Sequence, residues 1–513
     1  MNIKIKRALL SVSDKTQLLE LYQTLSKDHV EVYCSDGTYH YLSPHNEHSN
    51  LHPISELTQE KPLLEGRVKT LSSKIAAALL FDPQNPAHQK DAQEHNIIPI
   101  ELVVCNLYPF ESEESSDLTT LIEKIDIGGV TLIRAAAKNF QNVCVLIDPE
   151  DYALITSSEV NEKTREYLML KAWNRIADYD SAIAVRMGKL HGQHSIRLSY
   201  HEGEPLRSGE NPHQEATLYY HGHRHNQTPM PVLYGEKKLS YNNILDIDSS
   251  WGLLCKLSRL FPATQAIATI VKHTNPCGSA IASNLKTAID LSLAYDSVSA
   301  FGGILSINQA LTLPLFMRLY EHFWEIIIAP KIDPTILAFL SNSPKRKNLR
   351  LIQKSLTSPS PNFEGRFNSE TLLLQSKSDL LYQDLPKESI SPAILHFGTS
   401  LAETAKSNAI IAVTQNEQGD LYMVGHGQGQ TNRVQSVQDA LSNIEKLSAT
   451  EIANTYIISD GFFPFSDSVS LIAKYGIKHI VQPGGSIRDK EIFEKCKELG
   501  IHMTFTNVRL FKH

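Results

Sequence analysis

The chain has 513 residues, too many for one core, so at least two domains are expected. It is 42% hydrophobic and 20% charged, as ordinary globular proteins are, and its net charge of −7 argues against non-specific nucleic-acid binding. Its six cysteines show no paired spacing, which suits free thiols in a reducing compartment. No apolar run approaches the roughly 20 residues that span a bilayer, and Ala8-Leu9-Leu10 is too short for a signal peptide. A cytoplasmic protein is therefore expected, with no membrane and no nucleic-acid partner.

From Arg7 to about Ser199 short apolar runs alternate with helical spacing. Ala8–Val12, Glu31–Cys34, Leu102–Asn106 and Val143–Ile147 read as strands, with helices over Lys15–Leu25 and Leu118–Ile125. Such alternation predicts a parallel sheet wrapped by helices, with the loops after the strands gathered at its carboxyl edge. Those loops carry anion-binding chemistry. Ser11, Ser13 and Lys15 precede one helix, Ser35, Gly37 and Thr38 precede another, and Asn106-Leu107-Tyr108-Pro109 follows a strand. Gly66-Arg67-Val68-Lys69-Thr70 adds two cations to one face of an extended segment. Asp126, followed by Gly128 and Gly129, feeds an Ala-rich helix ending near Lys138. The small residues permit close approach of a ligand, and Asp126 with Lys138 could be an acid/base pair or a structural salt bridge. Each cluster alone could be capping loops and surface cations; three on one edge point to a site.

The polar, turn-rich stretch His201–His213 marks a junction, giving domains 1–199 and 200–513. The second is mixed α and β, with no fixed-period repeat but room for two similar subdomains. In it Ala266–Val271 reads as a strand that breaks at Lys272-His273-Thr274-Asn275-Pro276-Cys277-Gly278. A histidine titrates near neutrality, and a lysine beside it can stabilise developing negative charge. His273 is followed by Asn275 rather than Glu, and Cys277 lacks a second cysteine, so the zinc site of the nucleobase deaminases is rejected. Arg207, Arg433 and Arg509 lie near aromatic residues, Phe462 among them, a combination suited to a phosphorylated substrate and a flat heteroaromatic partner. Lys345-Arg346-Lys347 reads as a solvated loop before the strand Leu349–Ile352, and no dinucleotide or P-loop motif is present.

The motifs from Ser11–Lys15 to Arg509–His513 occur in the order seen in a known family. They include Gly66–Thr70, Cys105–Phe110, Asp126–Asn139, Gly209–Gln214, Leu239–Leu245, Lys272–Gly278, Phe462–Phe465 and Gln482–Asp489. Over nearly its whole length the chain resembles the bifunctional purine-biosynthesis enzymes that join AICAR transformylase to IMP cyclohydrolase. The resemblance implies a methylglyoxal-synthase-like parallel α/β domain for the cyclohydrolase, then two cytidine-deaminase-like α/β subdomains without zinc for the transformylase. It implies formyl transfer from 10-formyltetrahydrofolate to AICAR, then dehydrative closure of FAICAR to IMP. It also implies a homodimer with transformylase sites across the interface.

By resemblance, His273 helps remove the amine proton while Lys272 orients the formyl oxygen. Arg207, Glu325, Asn408, Arg433, Phe462 and Arg509 hold AICAR, and Asp467 faces the folate. For ring closure, Lys69 and Tyr108 stabilise the oxyanion, and Asp126 and Lys138 move protons. Ser13, Lys15, Ser35, Thr38 and Arg67 grip the phosphate, with Thr70, Asn106, Gly128 and Gly129 lining the same site. Four departures stand against the family pattern: Asp36 in the phosphate loop, Ser72-Ser73 after Leu71, Ser208 after Arg207, and Ser466 before Asp467. Asp36 and Ser72-Ser73 leave open a protein with weakened or lost cyclisation that still binds purine nucleotides, either as a transformylase or in a regulatory or scaffolding role. A formyl-folate hydrolase is a third reading.

Overall fold

The computed structural model describes residues 2–46, 49–59, 63–64, 68–110, 117–155, 157–221, 232–342, 346–357, 363–384 and 390–513. The chain forms two compact units, Met1–Ser199 and Tyr200–His513. Among the described residues, no helix is long and apolar enough to cross a membrane.

The first unit is built on a five-stranded sheet: β1 (Arg7–Leu10), β2 (Glu31–Cys34), β3 (Leu51–Pro53), β4 (Leu102–Val104) and β5 (Cys144–Leu146). The order is β3-β2-β1-β4-β5, and every pairing is parallel. Successive strand side chains point to opposite faces. Leu9 and Val103 accordingly enter one apolar cluster, while Ala8, Leu10, Leu102 and Val104 enter the other. Both faces are covered, which is why these strands read as continuous apolar runs. The expected strand Glu31–Cys34 matches at both ends, and the other three match in position but end one or two residues earlier. The edge strand β3, with its His and Pro, gave no apolar signal. The first helix begins at Leu18, three residues later than predicted, because Gln17 is left-handed with φ 57°.

The second unit carries an eleven-stranded mixed sheet. Its first half comprises β6 (Val232–Tyr234), β7 (Ala266–Lys272), β8 (Asn275–Ala282), β9 (Ile304–Ile307), β10 (Ile326–Ala329) and β11 (Arg350–Gln353). The second half comprises β12 (Ile410–Gln415), β13 (Leu421–Gly427), β14 (Tyr456–Ser459), β15 (His479–Gln482) and β16 (His502–Phe505). Each half repeats one topology. A hairpin (β7-β8, or β12-β13) has a third strand antiparallel to its first, followed by two parallel strands. Each hairpin is preceded by a helix, Tyr241–Leu260 or Pro392–Thr404, and followed by another, Leu285–Ala294 or Arg433–Leu441.

The halves join through β8 and β13, which are antiparallel. One half is therefore turned end-for-end relative to the other. A single edge of the sheet collects the β7-β8 turn, the starts of β9, β10 and β11, the start of β12, and the ends of β13, β14, β15 and β16.

Candidate active sites

In the first unit, the carboxyl edge of the parallel sheet gathers most of the predicted residues. The Asn106 amide fastens the Ser13–Lys15 loop: its Oδ1 accepts from Ser13 N at 2.5 Å and Asp14 N at 3.0 Å, and its Nδ2 donates to Asp14 O at 3.0 Å. Thr38, fully buried, ties the second loop to the first, its hydroxyl accepting from Val12 N at 3.2 Å. Burial lowers the Lys15 ammonium below its ordinary value, and the nearby positive Lys69 adds to the effect. The same Lys69 attracts the charged form of Asp126, but burial outweighs it and holds that carboxyl above the usual range.

Asp126 accepts from Gly129 N at 2.7 Å through Oδ1, while its own backbone N–H donates to the Tyr179 hydroxyl at 2.8 Å. A methyl at Gly129 would stand 2.6 Å from Asp126 Oδ2, and one at Gly128 would stand 2.3 Å from Thr70 Oγ1. Both glycines are required for close approach. Tyr108, in the segment that follows β4, is exposed, and Arg67 lies outside the described residues.

One pairing weighed from the sequence is not made. Lys138 closes the helix Gly128–Lys138 and is exposed. Ten steps at 1.5 Å put it about 15 Å from Gly128, beyond the reach of Asp126. Among the described residues the cation whose charge acts on Asp126 is Lys69.

Two sequence departures find structural work. Ser72 caps the helix Ser73–Leu80, its hydroxyl accepting from Lys74 N at 3.3 Å. Asp36 is exposed in the first turn of Asp36–Leu42, where a negative charge favours the helix dipole.

In the second unit, the β7-β8 turn is the central feature. His273 and Thr274 have φ of 53° and 63°, the left-handed pair that a two-residue hairpin demands. For β-branched Thr274 that conformation is costly, about 1–3 kcal/mol. The helix Tyr241–Leu260 holds it in place. Asp246 accepts from Thr274 N at 2.5 Å and from His273 N at 3.3 Å, and Ser249 Oγ donates to Thr274 O at 2.7 Å. Burial raises the Asp246 carboxyl, partly offset by those two N–H donors. The His273 ring is thereby left exposed, while Lys272 Nζ donates to Phe301 O at 2.8 Å. Cys277 points away into the core, where burial pushes its thiol up to about 12.

Along the same edge, Glu325 immediately precedes β10 and is half-buried. Burial would raise its carboxyl, but the Asn243 amide at 2.8 Å and the Arg350 guanidinium at 3.1 Å outweigh this and lower it. Arg350 is 1% exposed. Arg207 is exposed, and its charge lowers the Arg350 guanidinium, though less than burial does.

From the other half, Asn408 precedes β12, and its Oδ1 accepts from Arg433 Nη2 at 2.7 Å. Arg433 also reaches the fully buried Asp460 at 2.6 Å and Ser459 Oγ at 2.8 Å. A methyl at Gly461 would lie 2.5 Å from Phe511 Cε1 and 2.6 Å from Arg433 Nη2, so a side chain there would displace one of them. Phe462 follows, partly exposed, then Asp467 at the start of the helix Asp467–Lys474. Arg509 lies over the Phe511 ring at 4.7 Å, and Leu510 N donates to Asp460 O at 2.9 Å, docking the tail onto the same cluster.

Asp246, Asn243 and Arg350 had no assigned role in the sequence, because an isolated Asp or Asn in a helical run carries no signal. Arg346, read as part of a solvated loop, instead packs over the Tyr320 ring at 5.3 Å; Lys345 lies outside the described residues. Among the described residues no group of three His, Cys, Asp or Glu is placed to hold a metal ion.

The first unit thus gathers hydroxyl, cationic and carboxylate side chains on the edge of a parallel sheet, and the second sets a lysine and a histidine on the edge of a duplicated one. A family model described as AICARFT/IMPCHase bienzyme matches residues 136–443, and an MGS-like domain model matches residues 17–131. The "Bifunctional purine biosynthesis protein PurH" of Persephonella marina is 36% identical over 99% of this chain and 100% of its own. The protein of the same name from Clostridium botulinum strain Kyoto is 37% identical, again over 99% of this chain and all of its own. The chain belongs to the AICARFT/IMPCHase bienzyme family.

Proposed function

We propose that the two activities of this bifunctional purine-biosynthesis enzyme are divided between its two units, the transformylase in 200–513 and the cyclohydrolase in 1–199. The chain catalyses formyl transfer to AICAR and then closure of FAICAR to IMP. The observation that carries the division is the clamped β7-β8 turn, which holds a histidine outward beside a lysine on the edge bearing Glu325, Asn408 and Arg433.

In formyl transfer, His273 takes the proton from the attacking amine as it bonds to the formyl carbon of 10-formyltetrahydrofolate. Lys272 stabilises the oxyanion of the tetrahedral intermediate, whose collapse releases tetrahydrofolate. Arg207, Glu325, Asn408, Arg433, Phe462 and Arg509 hold AICAR, and Asp467 faces the folate.

In cyclisation the carboxamide nitrogen bonds to the formyl carbon while Asp126, its carboxyl raised by burial towards the working pH, accepts the nitrogen's proton. Lys69 with Tyr108 stabilises the formyl oxygen under attack, which then takes up protons and leaves as water. Ser13, Lys15, Ser35, Thr38 and Arg67 bind the phosphate, with Thr70, Asn106, Gly128 and Gly129 shaping that site.

The chain works in the cytoplasm as a homodimer, with transformylase sites at the subunit interface. Ser72 and Asp36 each serve a helix of this unit, so neither departure by itself speaks for a lost cyclohydrolase. The test supplies each substrate separately to the fragments. Fragment 1–199 should form IMP from FAICAR, and 200–513 should form FAICAR from AICAR and 10-formyltetrahydrofolate. A folded 1–199 fragment that neither binds nor cyclises FAICAR overturns the division.

A further inference from the structure

Past the proposed AICAR residues, the same edge of the second unit carries a cationic aromatic platform. The loop after β14 exposes Phe465, and the loop after β15 runs Pro483-Gly484-Gly485-Ser486-Ile487-Arg488. Gln482 joins them at the root: fully buried, it accepts from Phe463 N at 2.8 Å through Oε1. Gly484 and Gly485 are left-handed, with φ of 74° and 94°, and the Asp489 carboxylate folds the loop back by accepting from Gly485 N at 2.7 Å and Ser486 N at 3.0 Å. The loop thereby projects Ile487 wholly into solvent and lays the Arg488 guanidinium over the Phe465 ring at 4.8 Å.

A guanidinium lying flat on an aromatic ring keeps its N–H edge free for a carboxylate. Among the described residues no ion pair engages Arg488. Phe465 sits between Phe462, proposed to hold AICAR, and Asp467, proposed to face the folate. An unpaired cation there is complementary to the end of the formyl donor that bears glutamyl carboxylates.

We infer that Arg488, stacked on Phe465 and flanked by Ile487, is a binding residue for the anionic glutamyl tail of the formyl donor. The inference rests on the transformylase reading. Ile487 and the exposed face of Phe465 supply apolar contact to the benzoyl ring, and Arg488 pairs with the carboxylates beyond it.

Steady-state formyl transfer by the full-length protein, with mono- and triglutamylated 10-formyltetrahydrofolate, tests this. The wild type should show a lower KM for the triglutamylated donor, a preference that narrows with added salt. Arg488→Ala should raise the KM for that donor about three- to tenfold, as expected for a partly exposed ion pair. Its kcat and the KM for AICAR should hold, and Arg488→Lys should recover part of the loss. An unchanged donor KM, or a rise in the AICAR KM instead, overturns the inference. A wild-type protein that transfers no formyl group from either donor overturns the transformylase reading first and this inference with it.

Discussion

The two units reach a working edge by different routes. In 1–199 every strand of the sheet runs the same way, so the loops after β1, β2 and β4 arrive together without any special device. In 200–513 the halves are turned end-for-end, so the edge receives loops that follow strands from one half and residues that precede strands from the other. The first half adds something its counterpart lacks: a two-residue turn in which His and Thr occupy left-handed backbone. A parallel sheet gives one shared edge by topology alone. A duplicated sheet gives a composite edge, and here its chemical group is placed by a turn of unfavourable backbone that neighbouring groups must hold.

The sharpest way to break this comparison is to disable each site singly. His273→Ala should slow formyl transfer by about 10²–10⁴-fold while leaving FAICAR cyclisation intact. Equal loss of both activities, measured with separate substrates, would make His273 structural. Lys69→Ala should give the converse, a loss in cyclisation of about 10²–10³-fold with formyl transfer unchanged.

A finer probe addresses the held turn. Asp246→Asn leaves one acceptor where the carboxylate offered two, so kcat for formyl transfer should fall about tenfold, the worth of one hydrogen bond to a charged group. Thr274→Gly removes the left-handed penalty of a β-branched residue and should stabilise the protein by about 1 kcal/mol. In an Asp246→Asn background it should also restore part of kcat. If Thr274→Gly lowers the unfolding midpoint and rescues nothing, the turn is not under strain.

The smallest expected effect concerns stability and pH. Burial raises the Asp126 carboxyl, so the folded state binds its proton more tightly than the unfolded chain does. Its ionised form therefore costs stability as pH rises above the unfolded Asp value of about 3.9. Asp126→Asn can still accept from Gly129 N and carries no charge. It should unfold at higher denaturant than the wild type near neutrality, with the difference shrinking as pH falls towards 4, although cyclisation is lost. A difference that grows on acidification would contradict the burial argument.

By itself the sequence determined what local pattern controls. Alternating apolar runs specified a parallel α/β first unit, because strands covered on both faces must be apolar throughout. The motif order identified the family, and the turn residues near 201–213 lie beside the break at 199–200. The break of a strand at Lys272-His273 was legible, but Pro276 and Gly278, read as its loop, lie within β8, and the break is the two-residue turn His273-Thr274. Tertiary structure alone decided which of these residues meet. The flip between the halves rests on the pairing of Ala280 with Tyr422, 142 residues apart, which no local period encodes. Asp246, Asn243 and Arg350 meet Thr274, His273 and Glu325 only through separations that no local spacing marks. Asp126 and Lys138 share one motif, yet a rigid helix carries the lysine away and a separate extended segment brings Lys69 near. Proximity in sequence fixed the helix, and the rise of that helix undid the pairing.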